Sequence, residues 1–193
     1  MIKFSGLNKI KVCVFISGTG SNLKNLIKFS FLKKSPIKIS IVISNNPKAK
    51  GLIHARKYQI RNKIFRFRNK TDDEKKILNL LKSNDVKLVC LAGFMKILSR
   101  KFINTFDGKI LNIHPSLLPK YKGLNTHQKA LKNKEKYSGC TVHYVSPKLD
   151  SGRIILQKKV RIVKNETIKS LAKKIQIQEH KIYPKAILKI FSP

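Results

Sequence analysis

Apolar residues along the chain fall into short runs separated by turn-forming residues, and these runs alternate with stretches of helical spacing. Residues 10–17 (IKVCVFIS), 37–44 (IKISIVIS), 62–67 (NKIFRF), 86–92 (VKLVCLA), 109–114 (KILNIH), 141–145 (TVHYV) and 154–162 (IILQKKVRI) read as strands. Helices are predicted over 23–34, 49–58, 71–83, 94–105 and 167–182. The third opens on the capping signal Thr71-Asp72-Asp73-Glu74, and the last stops at Tyr183-Pro184. Strand and helix alternate without a repeat or low-complexity linker, so the pattern predicts one domain over 1–193. Its class is α/β, a doubly wound, mostly parallel sheet with a Rossmann-like N-terminal half. Ligands of such sheets bind beyond the C-terminal ends of the strands. The residues just beyond each apolar run therefore matter most.

The first run ends in Gly18-Thr19-Gly20-Ser21-Asn22. A dinucleotide fingerprint would need a third glycine where Leu23 stands and an acidic residue about 20 positions on, yet residues 23–71 contain no Asp or Glu. The Gly-Lys-Ser/Thr of a Walker loop is also missing. What remains is an anion site suited to a single phosphate: glycines free backbone N–H groups, Ser21 and Asn22 add donors, and a helix N-terminus favours negative charge. The plainer alternative is a tight strand-to-helix turn capped by Ser or Asn.

The fifth run delivers Asn112 and His114, which share a strand face, and Pro115 holds His114 extended. An imidazole hydrogen-bonded to backbone is the plain reading. A catalytic histidine needs a group to orient it, and between Glu135 and Glu166 the only carboxylate is Asp150, in Leu149-Asp150-Ser151-Gly152. Asp150 could equally serve its own turn. If it reached His114, Asn112 and His114 would be two donors aimed at one point, which suits a developing oxyanion. Ser116 lies in no Gly-x-Ser-x-Gly elbow and Cys140 has no evident partner, so the substrate itself would have to attack.

Charge adds a question. With 43 basic and 9 acidic residues the formal charge is +34, which ordinarily points to nucleic acid. The lysines are spread over the whole chain, and abundant Lys, Ile and Asn share A/T-rich codons, so a genomic base-composition bias accounts for the charge better than selection for nucleic acid. Such a surface would still bind RNA weakly and steer anionic substrates inward. Cys13, Cys90 and Cys140 lack metal-ligand spacing and read as small core residues. The apolar run near the start is far shorter than the roughly 20 residues of a membrane span and has no cleavage site, so a cytoplasmic protein without membrane contact is expected.

Taken together, ISGTGSNL, LAGFMKIL, LNIHPSLLPKYKG, LDSGRIILQ and QIQEHKIYP, in this order and at these spacings, closely resemble the folate-dependent phosphoribosylglycinamide formyltransferases over nearly the whole chain. The resemblance implies the formyltransferase fold. It further implies formyl transfer from 10-formyltetrahydrofolate as co-substrate to the amine of glycinamide ribonucleotide in de novo purine biosynthesis, with no metal, no specific nucleic-acid partner, and a monomer or homodimer. It assigns catalysis to Asn112, His114 and Asp150. It assigns the ribonucleotide to Gly20, Ser21, Asn22, Gln176 and Glu179. It assigns the folate to Lys70, to Met95, Lys96, Ile97 and Leu98, and to Asn112, Ser146, Pro147, Lys148 and Leu149.

Lys96 and Lys70 stand where the family often has Arg, which cannot be exchanged for Lys at a bidentate contact. Asn125 replaces a frequent His and leaves His127; neither carries an assigned role. Methionyl-tRNA formyltransferase and formyltetrahydrofolate hydrolase share the Asn/His/Asp centre, but the first carries a C-terminal RNA-binding domain and lacks GTGSN, and the second an N-terminal regulatory domain. A nonenzymatic RNA-binding protein is the remaining alternative, against which the intact motifs weigh.

Overall fold

The structure, a computed structural model, describes residues 9–191. The chain packs as two compact units, the first running through Ile110 and the second spanning Leu111–Lys189. In the first, strands β1 (Ile10–Ile16), β2 (Ile37–Ser44), β3 (Arg61–Ile64) and β4 (Leu88–Leu91) alternate with helices α1 (Ser21–Ser30), α2 (Gly51–Lys57), α3 (Lys70–Ser83) and α4 (Arg100–Thr105). The strand order is β3-β2-β1-β4 and every pairing is parallel. β1 and β4 are largely apolar, with Val12 to Ile16 and Leu88 to Cys90 wholly removed from solvent, as expected where helices cover both faces. β3 carries Arg61 and Lys63 on an exposed edge, and charge there discourages pairing with another chain.

The second unit contains most of β5 (Lys109–His114), then α5 (Thr126–Lys132), β6 (Tyr137–Tyr144), β7 (Ile154–Arg161) and most of α6 (Ile168–Phe191). β6 runs antiparallel to both β5 and β7. The α/β class, the mostly parallel sheet and the Rossmann-like N-terminal half are as the sequence predicts.

Four local differences have physical causes. The helix expected over 94–105 shrinks to α4, because Phe94 wedges edge-on between Phe15 and Phe67 at 5.2 and 5.4 Å and the Met95 N–H is captured by Ser17 Oγ at 2.8 Å. The residues between those anchors and Ser99, whose hydroxyl caps α4 by accepting from Phe102 N–H, have no helical hydrogen bonding to join. α3 is capped by Asn69, two residues before the predicted signal, and its Oδ1 accepts from Asp72 N–H. α5 is an element the pattern did not predict: its sequence THQKALK is mostly polar or basic, and it buries only Thr126 and Ala130, too little apolar surface to show a helical period. Finally α6 continues through Pro184. Burial of Tyr183, Ala186 and Ile187, with the Tyr183 hydroxyl donating to Leu111 O at 3.2 Å, outweighs the backbone bond that proline removes. All three cysteines are buried and free, as expected.

Candidate active site

The cluster expected to be catalytic is built entirely within the second unit. β5 ends in Asn112 and His114 on one face, and β6 places His143 directly opposite Asn112. Asp150 follows in the turn between β6 and β7 at φ 44°, a left-handed conformation that Asp tolerates better than most residues. The turn lies tight against the end of β6: a Cβ on Gly152 would fall 1.7 Å from the Tyr144 carbonyl oxygen, so only glycine fits.

These elements bring the three predicted catalytic residues together. Asp150 Oδ2 lies 3.5 Å from His114 Nδ1, with both side chains more than nine-tenths buried, and accepts a hydrogen bond from Gly123 N–H at 2.9 Å. Asp150 Oδ1 accepts from Asn112 Nδ2 at 3.4 Å. The Asp150 carboxylate therefore reaches beyond its own turn, to His114, Asn112 and Gly123. The other ring nitrogen of His114, Nε2, donates to the Tyr121 carbonyl at 2.9 Å. Tyr121 adopts φ 55°, and its hydroxyl is tied to Glu135 at 2.7 Å and Asn133 at 2.9 Å. A carbonyl anchored in this way holds the imidazole plane.

The nearby nucleophiles are out of play. Ser116 is buried and its hydroxyl donates to Lys120 O at 2.7 Å. Burial, reinforced by Glu179, pushes the Cys140 thiol up to about 12, so it carries no thiolate at neutral pH. The cluster can orient a histidine and present an amide donor; it holds no activated serine or cysteine.

In the first unit Gly20 precedes α1 at φ 73°, and Ser21 and Asn22 form the first turn of that helix, Asn22 buried. Gly20 packs on Gly51 so closely that a Cβ would lie 2.5 Å from the Gly51 Cα. Gly51 N–H donates to Gly18 O at 2.9 Å. Ser17 joins three strand ends, donating its hydroxyl to Asn45 Oδ1 while accepting from Met95 N–H. Met95, Lys96 and Ile97 are exposed after β4, whereas Leu98 turns into the core. Lys70 is exposed at the first position of α3. In the second unit Glu179 is buried on α6 and Gln176, one turn earlier, is exposed. Ser146 donates to Lys148 O at 3.0 Å, and Pro147, Lys148 and Leu149 are exposed beside the Asp150 turn.

The formyl transferase family model matches residues 10–187. The chain is 44% identical to a phosphoribosylglycinamide formyltransferase of Haemophilus influenzae over 180 residues, 92% of this chain and 85% of that one. The crystal structure of a phosphoribosylglycinamide formyltransferase from Brucella melitensis superposes with a TM-score of 0.89 at 40% identity, covering 95% of this chain and 96% of that one. The chain belongs to the phosphoribosylglycinamide formyltransferase family. It is also 42% identical to the human trifunctional purine biosynthetic protein adenosine-3 over 93% of its own length, but spans only 18% of that relative.

Lys70 and Lys96, where the resemblance leads to an expectation of Arg, are exposed side chains that take no part in the core. Three participants in the site escaped the sequence reading. The Tyr121 carbonyl and the Gly123 amide are backbone groups, which no residue type announces. His143 lay in the run TVHYV, where it counted only as part of a strand; the signal was an imidazole facing inward among β-branched and aromatic neighbours.

Proposed function

We propose that the protein transfers the formyl group of 10-formyltetrahydrofolate to the amine of glycinamide ribonucleotide in de novo purine biosynthesis. The observation that carries the reading is the buried cluster of Asn112, His114 and Asp150 with no activated serine or cysteine beside it. Such a centre suits direct attack by the substrate amine on the formyl carbon. Asn112 Nδ2–H donates to the oxygen on which negative charge develops. His114 can add a second donor once its Nε2–H exchanges the Tyr121 carbonyl for that oxygen, and Asp150 holds the ring and stabilises positive charge on it.

Gly20, Ser21 and Asn22 bind the ribonucleotide phosphate, the only anion-binding motif that remains after the dinucleotide and Walker patterns are excluded. Gln176 and Glu179 contact the ribose and the amine. Met95 to Leu98 and Ser146 to Leu149 hold the pterin. In the second unit the exposed apolar side chains of Leu124 and Leu149, beside Gly123, suit a flat heteroaromatic ligand. The formyl donor supplies an activated one-carbon unit on a leaving nitrogen; the chain supplies orientation, donors and a place for the proton.

The test is a spectrophotometric assay of formyl-donor consumption with and without glycinamide ribonucleotide. Consumption that depends on the ribonucleotide and yields its formylated product supports the transferase. Consumption independent of it establishes the hydrolase, and none at all in a folded sample overturns the enzymatic reading.

A further inference from the structure

We propose that His143 is a positioning residue for this reaction: held neutral, it fixes the side-chain amide of Asn112 in the orientation that offers an N–H to the developing oxyanion. The inference deepens the formyl-transfer reading and rests on it.

His143 on β6 is the cross-strand partner of Asn112 on β5, so the two side chains share a face. The ring is 2% exposed. His143 Nδ1 lies 2.8 Å from the Tyr144 carbonyl oxygen, which can only accept, so Nδ1 carries the hydrogen. In the neutral ring Nε2 then has a free lone pair, and the atom 3.2 Å from it is Asn112 Nδ2. An amide that could face either way is thereby fixed with its nitrogen toward His143. One of its two hydrogens is spent on that bond. The other points only at Asp150 Oδ1, 3.4 Å away, a long contact easily exchanged for a better acceptor. That second hydrogen is the one available to substrate.

Protonation of His143 would undo the arrangement twice. A hydrogen on Nε2 would confront the Asn112 NH2 and favour the flipped amide, with its oxygen toward the ring and its donor turned away. The charged ring would also lie 3.7 Å from Asp150 Oδ1 and compete with His114 for that carboxylate. Three groups bear on this proton: Asp150 and the Tyr144 carbonyl favour the charged form, while His114 opposes it. Burial outweighs them and lowers the pKa of His143, which keeps it neutral under ordinary conditions. Tyr144 O, the fixed point of the chain, is itself seated against Gly152.

The experiment compares His143→Leu, which removes the acceptor, with His143→Gln, whose Oε1 can accept from Asn112 but does not titrate. His143→Leu is expected to lower kcat by roughly 30-fold, with KM for both substrates within about twofold, because donor geometry matters in the transition state. In an Asn112→Ala background the same substitution should cost less than about twofold, since its target is gone. His143→Gln should recover most of the lost kcat and shift the acid limb of the kcat–pH profile. Additive losses, an unchanged kcat in His143→Leu, or an unaltered acid limb in His143→Gln would each overturn the proposal.

Should His143→Leu fail to fold, the Asn112 side-chain amide followed by 15N NMR decides without it. Its resonances should move with His143 titration in the wild type and not in His143→Gln; a wild-type amide that ignores His143 titration overturns the proposal. This readout needs no turnover. Failure of the formyl-transfer reading, seen as absent ribonucleotide-dependent activity in the wild type, is thus distinguishable from failure of the His143 inference.

Discussion

The glycine turn after β1 and the polar cluster at the end of β5 both lie where strands terminate, yet they are made of opposite materials. The first is a backbone device: Gly20 takes a left-handed conformation and touches Gly51, leaving no space for a Cβ. The second is a side-chain device in which Asn112, His114, His143 and Asp150 satisfy one another inside the protein. A backbone device fails when volume is added. A side-chain device fails when one charge or one hydrogen is removed at constant volume, because its members are buried and have few alternative partners.

The largest expected effect is therefore in the cluster. Asp150→Asn keeps the shape and an acceptor for Gly123 N–H but removes the charge beside His114. Turnover should fall about 10³-fold, equivalent to roughly 4 kcal/mol of transition-state stabilisation, while the circular dichroism spectrum stays native. Turnover within tenfold of wild type would show that the carboxylate is structural.

Gly20→Ala is the converse. The new methyl would meet the Gly51 Cα at 2.5 Å with the residue at φ 73°, and the expected cost is about 2–3 kcal/mol of stability, read from denaturant midpoints. An unchanged midpoint would mean that the turn is slack. Smaller still is the removal of side-chain donors there. Ser21→Ala with Asn22→Ala should raise KM for the ribonucleotide about tenfold with kcat nearly unchanged, since backbone N–H groups remain to hold the phosphate. A rise in the folate KM instead would reassign the turn.

The same contrast explains what the sequence disclosed. Strand–helix alternation and the runs of β1, β2 and β4 were legible because buried parallel strands are largely apolar; β3, charged and exposed at the edge, is predicted at 62–67 where the strand is Arg61–Ile64. Asn112, His114 and Asp150 were legible as a candidate cluster because carboxylates are scarce in this chain and Asp150 is the only one between Glu135 and Glu166. Geometry supplied what residue type could not. That the Tyr121 carbonyl occupies His114 Nε2, that Gly123 N–H anchors Asp150, and that His143 faces Asn112 across two strands all depend on backbone position and register. The continuation of α6 through Pro184 was hidden for a related reason: a local breaking signal lost to tertiary burial of Tyr183 and Ile187.

The two units differ, finally, in their histidines. Besides His114, the second holds His127, His143 and His180, each with its pKa lowered chiefly by burial; the first holds one histidine, His54, whose pKa burial also lowers, helped by the nearby charges of Lys24 and Lys57. His127 adds a buried Nδ1 without a hydrogen-bond partner among the described residues. A histidine whose folded pKa lies below the unfolded value of about 6.5 binds more protons when unfolded, so ∂ΔG/∂pH is positive between the two values. Stability should then be level above about pH 6.5 and fall as the pH drops through that value toward the lowered folded pKa values. The loss should be uneven. Hydrogen exchange, corrected for the intrinsic pH dependence of the amides, should show protection falling first in β6 and α6 as acid is added, with β1 and β4, whose unit holds one such histidine, losing less over the same range. Simultaneous loss in both sets would mean that acid acts through the carboxylates or the whole-chain charge instead.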